Sequence, residues 1–275
     1  MSYCEFPVSD VLRPYIDCYW LHCLETGATG FRAQSCLPLG TVELIIQTND
    51  HPSHHLHSNG GWEKSHRVFF AGLYDHTVTW KIAPGSVMFG IRLKPESLIS
   101  LFRFPVASLI NVVGDAESLL DAGIKSMGEE ISNCIDAPSM IAIAEKYLLK
   151  RLNSISDNNN RFVMACRLLR AHQANLSITA LSDHLSVGKR QLERIFKDQM
   201  GTGPKTYQRI VRFTCAYRDI QQGKDLAWSD LTYGNGFSDQ SHFIRDFKEF
   251  TGESPTEFVA RSQPFAPKQL SINSL

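Results

Sequence analysis

Leu192-Glu-Arg-Ile-Phe-Lys197 and Phe243-Ile-Arg-Asp-Phe-Lys248 are two writings of one pattern. Followed outward, the first copy reads Leu192, Arg194, Phe196, Lys197, Gly201, Pro204, Tyr207. The second reads Phe243, Arg245, Phe247, Lys248, Gly252, Pro255, Phe258, and every pair lies 51 residues apart. A constant offset over matched chemistry marks a duplicated supersecondary unit. Leu192, Ile195 and Phe196 fall at i, i+3, i+4 and Phe243, Phe247 and Phe250 at i, i+4, i+7, so each copy is predicted to be a helix with one apolar stripe. Gly201 and Gly252 stand where a left-handed residue ends a helix. Pro204 and Pro255 stand where the first turn of the next helix tolerates a missing N–H.

A second short helical pattern precedes each copy. Ser177 is expected to cap a helix carrying Ile178, Leu181 and Leu185, and Ser186 to cap the next; further on, Trp228, Leu231 and Thr232 precede Gly234-Asn235-Gly236-Phe237, with Ser238 as the cap. Two short helices joined by a tight turn, the second basic and polar on its outer face, have helix-turn-helix geometry. Pro204 to Gln222 then reads as one helix of about 19 residues, roughly 28 Å long. Such a spacer suits two recognition helices about one DNA turn, ~34 Å, apart.

The run Gly-Phe-Ser-Asp-Gln-Ser-His-Phe-Ile-Arg-Asp-Phe-Lys from Gly236 to Lys248, with Gly252 and Ser254-Pro255 after it, resembles the signature of the AraC/XylS family of bacterial transcription regulators. The resemblance covers about the last hundred residues. It departs from the family's usual pattern at Thr232-Tyr233-Gly234, where a glycine costs a helix about 1 kcal/mol. It implies an all-α C-terminal domain of two helix-turn-helix units joined by a long helix, a promoter DNA partner, and activation rather than repression. It also implies contact with RNA polymerase. The family's base-reading positions fall on Arg190, Glu193 and Arg194 in the first unit and on Gln240, Ser241, His242, Ile244 and Arg245 in the second. Arginine suits guanine O6 and N7, glutamate cytosine N4, glutamine adenine, and isoleucine a thymine methyl. Lys189, Lys197, Lys205 and Lys248 are assigned to phosphates, which position a protein without carrying sequence information.

The 275 residues carry no formal net charge, which looks wrong for a DNA binder until the chain is divided. Residues 1–160 hold 12 basic and 17 acidic residues, whereas 161–263 hold 15 and 11, so positive charge gathers where the motif is. No apolar run approaches the ~18 residues of a membrane span. Glu5 and Asp10, with no basic stretch before an apolar one, argue against a signal peptide. Seven cysteines without CxxC spacing argue for a reducing compartment, and a cytoplasmic protein is expected.

Residues 1–93 alternate short β-rich runs with turn signals. Strands are expected over Tyr15–Cys23, Val42–Gln47, Arg67–Ala71, Thr77–Ile82 and Val87–Leu93, which suggests an antiparallel sandwich or barrel. The family resemblance makes this a cupin-like jelly roll with flanking helices, and the whole chain an α+β multidomain protein. From Pro95 the pattern turns helical, over Leu98–Phe102, Leu119–Met127 and Ile141–Leu148, with breaks at Pro105 and Pro138. These helices (94–152) either cover the sheet or pair in a homodimer. A polar tract, 153–160, reads as a linker, 161–263 as the DNA-binding domain, and 264–275 as a tail.

A small-molecule effector is the expected cargo of the N-terminal domain. Trp20, Phe70, Tyr74, His76, Trp80 and Arg92 are its candidate pocket, with Arg92 as an anchor for an anion. His51, His54, His55 and His57 invite a metal, but they sit in a loop without an HxH and glutamate at metal-cupin spacing, so neither metal nor cofactor is expected. No GxSxG motif or catalytic cysteine context is present, and no enzyme is expected. Two alternatives stay open for the N-terminal domain: a metal-binding cupin enzyme, or a module that only oligomerises.

Overall fold

The computed structural model describes residues 2–25, 30–56, 60–152, 160–222 and 227–261. Among the described residues the N-terminal domain holds ten strands: β1 (Ser2–Phe6), β2 (Ile16–Cys23), β3 (Arg32–Cys36), β4 (Val42–Gln47), β5 (Ser53–Leu56), β6 (Trp62–Lys64), β7 (Val68–Ala71), β8 (Val78–Ile82), β9 (Val87–Leu93) and β10 (Val113–Asp115). They make two antiparallel sheets, a six-stranded one in the order β1-β2-β9-β4-β7-β10 and a four-stranded one in the order β3-β8-β5-β6. This is the expected sandwich, with one correction. Residues 94–152 are not purely helical, because β10 lies among them and closes the edge beside β7, with Gly114 opposite Phe70.

The six-stranded sheet is buried on both faces. Cys18, Trp20, Ile45, Phe69, Ala71 and Met88 point toward the smaller sheet and meet Trp80 and Ile82 there. Tyr19, Val42, Leu44, Ile46, Val68, Phe70, Phe89 and Ile91 point the other way, under helices. Those helices are α1 (Ala116–Leu119), α2 (Ala122–Ser132) and α3 (Ala137–Leu152), preceded by a π-helical turn at Leu98–Phe102 and a 3-10 turn at Val106–Leu109. Gly128 lets α2 lie close against the sheet, since a Cβ there would stand 2.5 Å from Val68 Cγ2. Covering the sheet is thus what these helices do within one chain.

The C-terminal domain holds α4 (Arg161–Ala171), α5 (Ile178–His184), α6 (Lys189–Met200), α7 (Pro204–Gln221), α8 (Trp228–Gly234), α9 (Gln240–Thr251) and α10 (Pro255–Arg261). Its first half packs Phe162, Leu169, Leu181, Leu192, Phe196 and Tyr207 into the same apolar cluster as the sheet and α2–α3. Its second half has a core of its own, Phe213, Tyr217, Phe237, Phe243, Phe247, Phe250 and Phe258, against which Leu37 and Leu39 of the β3–β4 loop rest. The two domains therefore share buried surface. Glu96 and Arg170 are paired across the boundary, Arg170 also donates to Tyr207 Oη at 2.8 Å, and Thr77 Oγ1 donates to the Phe250 carbonyl at 2.6 Å. Burial opposes the Arg170 charge, but Tyr207 and Glu96 hold its pKa well above the ordinary arginine value. The linker 153–159, the tail 264–275 and His57 lie outside the described residues.

Candidate nucleic-acid interface

The local chemistry builds each helix-turn-helix unit from its sequence. Ser177 Oγ accepts from the Ala180 N–H and starts α5 as expected. The other two caps differ from expectation. Ser186 takes a left-handed φ of 50° inside the turn, and α6 begins after Gly188, which makes no side-chain cap bond. Before α9 the cap is Asp239 rather than Ser238, its carboxylate accepting from the His242 N–H at 2.8 Å. That bond holds the Asp239 carboxyl below the usual range. Gly201 and Gly252 end α6 and α9 at φ 82° and 85°, and Pro204 opens α7, all as the spacing predicts.

The buried stripe on α9 is the expected Phe243, Phe247 and Phe250; on α6 Leu192 and Phe196 are buried as expected, but Ile195 is only half-buried and Met200 completes the stripe. Opposite them, Lys189, Arg190, Glu193, Arg194 and Lys197 are exposed on α6, and Gln240, Ser241, Ile244, Arg245 and Lys248 on α9; Lys205 is exposed at the start of α7. Lys197 Nζ also donates to the Gly201 carbonyl at 3.1 Å, so it caps its own helix as well as facing outward. His242 departs from the expected base-reading set. It is half-buried, with Nδ1 3.1 Å from Ser238 Oγ, Nε2 3.4 Å from Asp246 Oδ2, and its ring edge-on to Phe237. Its polar atoms are occupied by its own unit.

Sequence reasoning missed the residues that hold the units in place. Three neighbours on α7 do so. Gln208 Nε2 donates to the Ala174 and Leu176 carbonyls at 2.7 and 2.9 Å, fixing the approach to α5. Arg209 binds Asp246 at 2.9 Å and Glu249 at 2.5 Å, fixing α9, and Glu249 and Asp246 raise the Arg209 pKa well above its ordinary value. Arg212 donates to the Gly236 carbonyl at 3.2 Å in the turn between α8 and α9. A signal for this was present: Asp246 stands where the first copy has the apolar Ile195, a break in the repeat on a buried face.

The expected effector pocket is only partly assembled. Trp20, Tyr74, Trp80 and Arg92 share the space between the sheets, whereas Phe70 points to the opposite face, into the helix-covered core, and His76 lies on the surface beside Asp75. Arg92 is not an open anchor for an anion. Its Nε meets Glu43 Oε1 at 2.7 Å, one terminal nitrogen meets Glu5 Oε1 at 2.5 Å, and the other donates to Tyr3 Oη at 3.0 Å. Trp20 Nε1 donates to the second Glu43 oxygen at 2.7 Å, leaving a cluster with one positive and two negative groups. Nearby, burial pushes the Cys36 thiol up to about 12. His54 packs edge-on against Phe31 while His55 turns inward toward Trp80 and Ser65, so these two neighbours face different surroundings. Among the described residues no group of three or more His, Cys, Asp or Glu is placed to hold a metal. Among them, too, no helix is long and apolar enough to cross a membrane.

Comparison with known proteins places this geometry. Residues 181–261 match a helix-turn-helix domain family, and residues 5–115 match a domain family of unknown function, DUF6597. The Arabinose operon regulatory protein of Escherichia coli (strain K12) is 28% identical over 127 residues, covering 44% of this chain and 43% of that protein. The HTH-type transcriptional regulator GlxA of Rhizobium meliloti (strain 1021) is 33% identical over 87 residues, covering 32% of this chain and 26% of that protein. The chain thus spans less than half the length of these curated relatives. A crystal structure of unsaturated fatty acid bound wild-type ToxT from Vibrio cholerae strain SCE256 shares the fold, with a TM-score of 0.50 at 12% identity over 90% of this chain and 96% of that one. Two helix-turn-helix units on one spacer helix, behind a β-sandwich, and matched in part by these regulators: the chain is similar to transcription regulators of the AraC type.

Proposed function

We propose that the protein binds promoter DNA in a sequence-specific manner and regulates transcription, as an activator, with α6 and α9 entering successive major grooves on one face of the duplex. The observation that carries this is the pair of exposed polar faces, Arg190/Glu193/Arg194 and Gln240/Ile244/Arg245, on helices tied to a single spacer. The 18 residues of α7 span about 27 Å, close to the ~34 Å of one DNA turn. The regulators it resembles act on transcription by name. A cytoplasmic location, contact with RNA polymerase and the absence of enzymatic activity belong to the same reading.

The N-terminal domain is read as the regulatory half, through a small molecule or a second copy of the chain. A fatty acid occupies the ToxT structure named above, which makes amphipathic carboxylic acids one class to screen here. Any anion reaching Arg92 must displace Glu5 or Glu43. A metal-binding cupin and a purely oligomerising module remain the alternatives; bound metal in stoichiometric amount, or a dimer indifferent to every small molecule, would favour one or the other.

The test is in-vitro selection of random duplexes by the full chain, at two salt concentrations. Enrichment of two half-sites about one helical turn apart is expected. Arg194→Ala and Arg245→Ala should each lose about 1–3 kcal/mol with relaxed base preference, and Lys197→Ala should weaken all sequences alike. Binding that depends on salt but never enriches a sequence would sink the proposal.

A further inference from the structure

Superimposed at the 51-residue offset, the two units differ where a recognition helix first meets DNA. Gly188-Lys189-Arg190 opens α6 with two cations, while the equivalent Asp239-Gln240-Ser241 opens α9 with one anion and no cation. The first-turn N–H groups of α6 have no side-chain cap, whereas those of α9 already face the Asp239 carboxylate. The difference extends over the whole unit. Residues 177–203 contain four basic and three acidic residues, and residues 228–254 contain two and five. Arg209 offsets the Asp246 and Glu249 pair, but Asp230 and Asp239 remain exposed.

These charges have opposite consequences on a duplex. Each phosphate neutralised by a cation releases counterions and adds affinity, and an open helix N-terminus favours phosphate further. A carboxylate at the same place repels it. The outer face of α9 nevertheless keeps side chains suited to base edges: Gln240 for adenine, Ile244 for a thymine methyl, Arg245 for guanine. His242 is turned inward and engaged by Ser238 and Asp246.

We propose, resting on the DNA-binding reading above, that the two units divide the work: the first supplies most of the affinity, and the second selects sequence while adding little affinity of its own. The half-site read by the first unit is then the one a promoter must keep, and the second tunes which promoters are used.

Equilibrium binding of the full chain to a selected two-half-site duplex tests this. Relaxed preference in Arg194→Ala and in Arg245→Ala assigns each half-site to its unit. Truncating the duplex to remove the DNA under the first unit should lower affinity about 100-fold or more, and truncating it to remove the DNA under the second less than about 10-fold. The exposed double variant Lys189→Gln/Lys197→Gln should flatten the slope of log affinity against log salt by about 2, and Gln240→Lys/Ser241→Arg should steepen it by about 2. Circular dichroism checks that both variants are folded. Equal losses on removing the DNA under either unit, with wild-type binding still selective, would overturn the division and leave the regulator reading standing. Absence of selective binding by the wild-type chain would overturn both.

Discussion

Replacing Arg170 by Met should cost the protein about 3–5 kcal/mol, because it strands a carboxylate between two domains. Glu96 is 1% exposed and Arg170 25% exposed, and the guanidinium meets both Glu96 oxygens, one of them at 2.7 Å. Nothing at that depth can rehydrate Glu96 once the arginine is gone. Glu96→Gln is milder, about 2–3 kcal/mol, since an amide oxygen still accepts one bond while its NH2 faces the guanidinium. If the pair acts as one unit, the double variant falls short of the sum of the singles by about 1.5–3 kcal/mol. Urea unfolding followed by circular dichroism measures all four proteins, and Tyr207→Phe, which removes only the 2.8 Å bond, serves as a control near 1 kcal/mol. Additivity within about 0.5 kcal/mol would refute the reasoning, and would mean that the boundary is held by apolar packing alone.

Three further outcomes follow from the same geometry. Burial lowers the His22 pKa from 6.5 to about 4, so between those values the unfolded chain binds more protons and stability falls as pH drops, by about 2 kcal/mol at pH 5; His22→Gln should flatten that slope in unfolding measured at pH 7 and 5, and an unchanged slope would exclude this histidine as its source. Gly90→Ala places a Cβ 1.9 Å from Trp20 Cε2, so a loss of about 1–3 kcal/mol and a shift in tryptophan emission are expected, and an unchanged melting temperature would refute the close packing. Arg209→Ala leaves Asp246, 4% exposed, without its cation; a loss of about 3 kcal/mol and of selectivity at the second half-site is expected, and wild-type selectivity would show that α9 is positioned without it.

The strands and helices that could be read from the residues are those whose neighbours in sequence are also their environment. Val42–Gln47 and Val87–Leu93 coincide with β4 and β9 because central strands buried on both sides are continuous apolar runs. That same two-sided burial hid which way Phe69 and Phe70 point, since no polar alternation distinguishes the faces. Arg32–Cys36 and Trp62–Lys64 are illegible as strands because the smaller sheet leaves them largely exposed and polar, and Ser53–Leu56 because its buried and half-buried residues are polar. In the C-terminal half the repeat gave both units, the stripes and the glycine caps. It did not give Asp239 as a cap, nor the grip of Gln208, Arg209 and Arg212, which depends on contacts 24 to 40 residues away in sequence. Arg92 looked like an anion anchor for the same reason: its neutralising partners, Glu5 and Glu43, are 87 and 49 residues distant.

The spacer helix α7, gripped at Gln208 on one side and at Arg209 and Arg212 on the other, makes the protein a ruler with fixed jaws. DNA read by such a ruler is penalised for length as well as for letters. One base pair inserted between the half-sites turns the second by about 35° and moves it about 3.4 Å along the axis, which neither jaw can follow. The duplex would have to untwist or bend to restore the fit, at a deformation cost set by the intervening sequence. Base changes within a half-site weaken such a promoter by degrees. A single-base-pair insertion or deletion between the half-sites would take the second unit off its bases in one step, so in the proposed mode of binding spacing governs what the second half-site can select.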